Sequence, residues 1–183
     1  MTGQMADEFI LNGDLFSLVG LNGQGLFNPE DFGIRSYSSC TACWRGYVMK
    51  YQYINSQLFL DEMLVNVDDP LIINGIKPQN GARLFKYYYT NLKFKTNFTG
   101  KILLAKDFIQ SMYVHMGFQR PIAYKTIIEI QMKDGEIISE RDLSKEMEEK
   151  RILNANEGAS PRSDSQNDIE KWVNKTFSLD YDF

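Results

Sequence analysis

The chain is short of several residue types, and each shortage closes off a class of protein. It has two cysteines in 183 residues, Cys40 and Cys43. They are too few for a disulfide framework and too close in sequence to staple distant segments, so a reducing, cytoplasmic setting is expected. Histidine occurs once, as His115. A four-ligand zinc site built from Cys40-Thr41-Ala42-Cys43 and this imidazole would need carboxylates to complete it, so no metal and no cofactor is expected. No apolar run approaches the roughly 20 residues of a membrane-spanning helix, and Met1 to Asp7 carries no basic, apolar leader. No membrane partner is therefore expected. Gly20, Gly23 and Gly25 are not followed by the Lys-Ser/Thr of a phosphate-cradling loop, and no nucleophile elbow or kinase signature occurs.

What is present describes one soluble, strand-rich domain. The length suits a single core, and 43% hydrophobic with 24% charged residues is ordinary for a globular chain. Twelve Phe and ten Tyr favour strands, where flat rings pack on a pleated surface. The net charge of −4 is unevenly spread. Residues 1–76 hold nine Asp/Glu against three Lys/Arg, residues 77–133 hold ten Lys/Arg against Asp107 and Glu129, and residues 134–183 hold thirteen against seven. Such a chain either neutralises itself on folding or keeps a basic face for an anionic partner.

Alternation and turn residues place the elements. Phe9-Ile10-Leu11 and Leu15 to Val19 flank Asn12-Gly13-Asp14, which predicts a hairpin. Gly20 to Gly33, rich in Gly, Asn and Pro, predicts a surface loop. From Trp44 to Val67 the pattern is strongest: Tyr47, Met49, Tyr51 and Tyr53 alternate with Val48, Lys50 and Gln52, Asn55-Ser56 turns, and Leu58-Phe59-Leu60 returns. Trp44 is expected in the core. Leu84 to Leu104 predicts one or two strands, Asp107 to Met112 a short helical turn, and Tyr124 to Met132 a strand returning through Asp134-Gly135 to Ile137-Ile138. Ser139 or Asp142 is placed to cap a helix to about Leu153, with Leu143, Met147, Lys150 and Leu153 along its apolar edge and Glu146, Glu148 and Glu149 in solvent. Ile169, Trp172, Val173 and Phe177 give a second short amphipathic helix. The expectation is an α+β fold with an antiparallel β-rich core built from hairpins and a short helical C-terminal end. Residues 1–153 form the domain, and 154–183 are a loop and helix packed on it.

Trp44-Arg45-Gly46-Tyr47 with its hairpin, together with Phe98 to Ile102 and Tyr113-Val114-His115-Met116-Gly117-Phe118, resembles a family of uncharacterised bacterial and phage proteins over about residues 40–140. The resemblance implies a shared β-rich core and attaches no activity to any residue.

Two functional readings differ in class. The leading one is a protein-binding module, an inhibitor or immunity-like protein acting on a toxin or defence enzyme. Its contacts would lie in the acidic C-terminal end, at Trp172, Asp180, Tyr181 and Asp182. Acidic surfaces steer toward basic active sites. The alternative is a small enzyme or a nucleotide- or nucleic-acid-binding protein. It would use His115 as a general base beside Arg45, Tyr47 and Tyr113, or the basic and aromatic run 83–98 for an anionic partner, through Lys86, Tyr88, Lys93 and Lys95. The same run arises wherever a strand buries rings on one face and exposes lysines on the other.

Overall fold

The computed structural model describes residues 2–81, 84–154 and 160–179. Three two-residue turns carry the local architecture. Asn12 (φ 53°) and Gly13 (φ 86°) join β1 (Glu8–Leu11) to β2 (Asp14–Gln24). Asn55 (φ 50°) and Ser56 (φ 63°) join β3 (Tyr47–Ile54) to β4 (Gln57–Val65). Both central residues have positive φ, the geometry whose twist matches a hairpin. Short strands β5 (Gln79–Asn80), β6 (Tyr87–Tyr89) and β7 (Phe94–Lys95) follow, then β8 (Thr99–Phe108). Asp134 and Gly135 make the third turn, between β9 (Tyr124–Lys133) and β10 (Glu136–Asp142). Helices α1 (Ser144–Asn154) and α2 (Gln166–Phe177) complete the described chain.

The strands run in the order β10-β9-β8-β2-β1-β3-β4, and β4 meets β10 again where Gln57 faces Glu136. Seven strands thus close into a barrel, which satisfies edges that an open sheet would leave unpaired. Every junction of the barrel is antiparallel except β1 with β3, which is parallel. The strand-rich α+β class expected from the sequence is the class the chain adopts.

The interior is apolar. Phe9, Leu18, Met49, Tyr51, Leu60, Met63, Ile102, Leu104 and Ile130 are buried in one cluster, with the Phe9 and Tyr51 rings stacked at 4.8 Å. Bulges adjust which face a side chain takes. In β2 the register with β8 shifts between Leu18 and Gly20, so Leu18 and Leu21 both join the interior cluster although three positions apart. Val19 between them joins a second cluster with Leu103, Tyr124, Ile127, Leu143 and Met147. That cluster seats α1 on the outer wall. Asp142 secures its start by accepting the Ser144 amide at 2.9 Å.

Three expectations are corrected. Gly20 to Gln24 continues β2 and is not loop, because Gly23 and Gly100 pair across the β2–β8 ladder with no side chain to hold them apart. Trp44 is not core: it is 49% exposed and stacks on Phe177 of α2 at 4.7 Å, 7° from parallel. Leu153 is not on the buried edge of α1 but 78% exposed, because only Leu143 and Met147 reach the wall.

Helix α2 is capped by Ser165, whose hydroxyl accepts the Asp168 amide. Its C-terminal end lies against the barrel. The Phe118 amide donates to the Thr176 carbonyl at 2.9 Å, the Leu21 amide donates to the Leu179 carbonyl at 2.6 Å, and Leu179 packs on the interior cluster.

Candidate functional site

The chemistry-bearing side chains gather where the N-terminal arm, residues 3–7, crosses the loop ahead of β3. Asp7 immediately precedes β1, so its carboxylate sits where the parallel ladder with β3 begins, one position before Glu8 opposite Lys50. It accepts from Arg45 Nη1 at 3.1 Å, Arg45 Nη2 at 3.0 Å and the Met49 amide at 2.9 Å. Arg45 Nη2 also donates to the Met5 carbonyl at 3.2 Å. The guanidinium lies over the rings of Tyr47 and Phe118, 4.7 and 5.6 Å from their centroids. Burial works against the Arg45 charge, and Asp7 more than offsets it, so its pKa rises. Burial raises the Tyr47 phenol, with Arg45 opposing. The cluster is a clamp: Arg45 is committed to Asp7 and Met5, and it ties the arm to the barrel mouth.

The turn beside this clamp holds both cysteines. The Cys43 amide donates to the Cys40 carbonyl at 3.3 Å, and Cys43 Sγ donates to the Tyr47 carbonyl at 3.3 Å. Cys43 is buried and Cys40 half-buried. The turn also anchors the arm, since the Met5 amide donates to the Ala42 carbonyl and Gln4 Nε2 to the Thr41 carbonyl, each at 2.8 Å. Among the described residues no group of three or more His, Cys, Asp and Glu side chains gathers as metal ligands would.

The other side chains singled out from sequence scatter. His115 is exposed and stands edge-on to Tyr113, at 4.8 Å between ring centres, while Tyr113 Oη accepts the Gly3 amide at 3.0 Å. Arg45, Tyr47, Tyr113 and His115 thus share the neighbourhood of the arm, but Arg45 and Tyr113 are occupied in holding it. In the basic and aromatic run, Phe85, Tyr89 and Phe98 are buried and Tyr87 and Phe94 pack on the interior. Lys86 pairs with Asp68 at 3.1 Å and lies over Tyr37, and Tyr88 Oη donates to Gln79 Oε1 at 2.7 Å. Lys93 and Lys95 are exposed. Trp172 is half-buried on α2, whereas Asp180, Tyr181 and Asp182 lie outside the described residues.

Sequence reasoning missed two features. Asp7 gave no signal, being one carboxylate ahead of an apolar run whose partner is 38 positions away. A groove of about 780 Å³ between α1 and the start of β9 was also invisible. Lys125, Asp142, Ser144, Lys145, Glu148 and Arg151 line it, with Arg151 donating to the carbonyls of Ile122 and Tyr124 at 2.9 and 2.6 Å. Further along α1, Ile152 and Leu153 are 79% and 78% exposed. Helical geometry sets both away from buried Met147 and four residues after Glu148 and Glu149, so aliphatic and acidic groups share one face.

Comparison with protein-family models, with curated proteins and with solved structures returned no match.

Proposed function

We propose that this chain is a protein-binding module, of the inhibitor or immunity-like kind, that engages a basic protein surface through the outward face of α1. The observation that carries this reading is the near-full exposure of Ile152 and Leu153 beside Glu146, Glu148 and Glu149, which are also exposed. Aliphatic side chains left in water on a helix already anchored by its opposite face are what a contact surface offers. The glutamates supply steering toward a cationic partner, and the two aliphatics supply burial on arrival. A toxin or defence enzyme with a basic substrate-binding surface is a partner of that chemistry.

The test is a panel of purified basic toxins and nucleases presented to the immobilised protein. Binding that weakens as salt rises, and that is lost in an Ile152→Lys/Leu153→Lys variant of unchanged melting temperature, supports the reading. Binding indifferent to those changes refutes the assignment of the face. A wild-type dimer that the same variant converts to monomer would reassign the face to self-association.

A further inference from the structure

The Cys40-Thr41-Ala42-Cys43 turn carries an inference independent of the α1 face. A hydrogen-bonded turn of four residues brings its first and last Cα within about 7 Å, and disulfides span Cα separations of about 4.4–6.8 Å. The Cys43 to Cys40 main-chain bond closes such a turn, and neither Thr41 nor Ala42 has positive φ. Both cysteines pack in one apolar cluster with Met5, Val48, Leu64 and Phe85. They differ in access, since Cys40 is half-buried and Cys43 is 2% exposed.

The buried sulfur has an unusual setting. Burial is the largest influence and holds its thiol above the ordinary value, with the Arg45 charge and the main chain at Gly46 and Tyr47 opposing it in part. A nearby cation favours a cysteine thiolate as it forms. Arg45 is held in place by its bond to Asp7, so this charge is fixed beside the sulfur.

We propose that Cys40 and Cys43 form a redox-active dithiol that closes reversibly to a disulfide by exchange with a low-molecular-weight disulfide such as oxidised glutathione. The half-exposed Cys40, as thiolate, attacks one glutathione sulfur; the glutathione S–S bond breaks and one glutathione thiolate leaves. Cys43, as thiolate, then attacks the Cys40 sulfur, breaks the mixed disulfide and releases the second glutathione thiolate. Two cysteine sulfurs are oxidised, one glutathione disulfide is reduced to two thiols, and the two protons lost by the cysteines pass to the leaving thiolates. The order follows from access: the exposed sulfur meets the oxidant and the buried one resolves the intermediate.

The experiment incubates the full, folded chain with oxidised glutathione, alkylates remaining thiols and reads the intact mass. The expected product has lost two hydrogens, carries no glutathione and no alkyl group, maps to a Cys40–Cys43 link on digestion, and regains two alkylatable thiols after dithiothreitol. Cys43→Ala, and Cys43→Ser as a second variant, should stop as a single glutathione adduct on Cys40. Cys40→Ser should leave Cys43 unmodified over the same time. A wild-type protein that keeps both thiols, or that accumulates the adduct without closing, overturns the proposal whatever the variants do.

Discussion

Removing the Asp7 carboxylate tests the clamp most directly. Asp7→Ala deletes three accepted hydrogen bonds, two from Arg45 and one from the Met49 amide. Met49 is fully buried, so its N–H is left without a partner, at a cost of about 1–3 kcal/mol. Breaking a fully buried ion pair costs about 3–5 kcal/mol. The Arg45 side chain is 26% exposed and regains some hydration, which moves that figure to the low end or below it. The two costs overlap, and a total of about 3 kcal/mol follows. For a chain of this size each kcal/mol shifts the melting temperature by about 2–4 °C, so a fall of about 6–12 °C is expected. Thermal unfolding followed by circular dichroism reads it. The decisive measurement is the double-mutant cycle with Arg45→Met. If the pair is a clamp, the double variant is less destabilised than the two single variants summed, by about 1 kcal/mol or more. Strict additivity would refute the reasoning, because it would mean that each residue acts through separate neighbours.

Two further outcomes are expected. Asp142 has its pKa lowered by its bonds to Ser144, so its contribution to stability is present above the ordinary carboxylate range and lost as pH falls through the depressed folded value. Asp142→Ala should therefore destabilise by about 1 kcal/mol at pH 7, and the gap from wild type should close in denaturant melts at acid pH. A gap that widened on acidification would show the sign to be wrong. Gly117 has φ 69°, and a Cβ there would stand 2.1 Å from the Thr176 carbonyl oxygen, so Gly117→Ala should loosen the end of α2. In a Trp172→Phe background, quenching of Trp44 fluorescence by iodide should rise as its stack on Phe177 is lost, while the far-ultraviolet strand signal persists; unchanged quenching would mean that the backbone contact does not hold the helix.

The hairpins are legible in the sequence because each rests on chemistry within a few residues. Asn12-Gly13, Asn55-Ser56 and Asp134-Gly135 tolerate positive φ, and the flanking alternation of Tyr47, Met49, Tyr51 and Tyr53 names the buried face at period two. Asp142 at the head of α1 and the 3.6-residue spacing in α2 are local signals of the same kind. The strand-rich α+β class follows from these alone.

Long-range pairing decided the rest. Nothing near Phe9 shows that β1 will lie parallel to β3, since that junction depends on burying Phe9 against Tyr51 after a detour of some 35 residues. Closure of the barrel at Gln57 and Glu136, and the bulge that sends Leu18 and Leu21 inward and Val19 outward, are likewise settled by strands distant in sequence. The site residues follow the same division. Arg45 and Cys43 stand out by type, yet whether they bind a ligand or a neighbour depends on Asp7, which only the fold brings to them. Trp44 and Leu153 have the composition of core residues and end at the surface, because burial is conferred by what packs opposite. A side chain's hydrophobicity is written in the sequence; its partner is supplied by the tertiary structure.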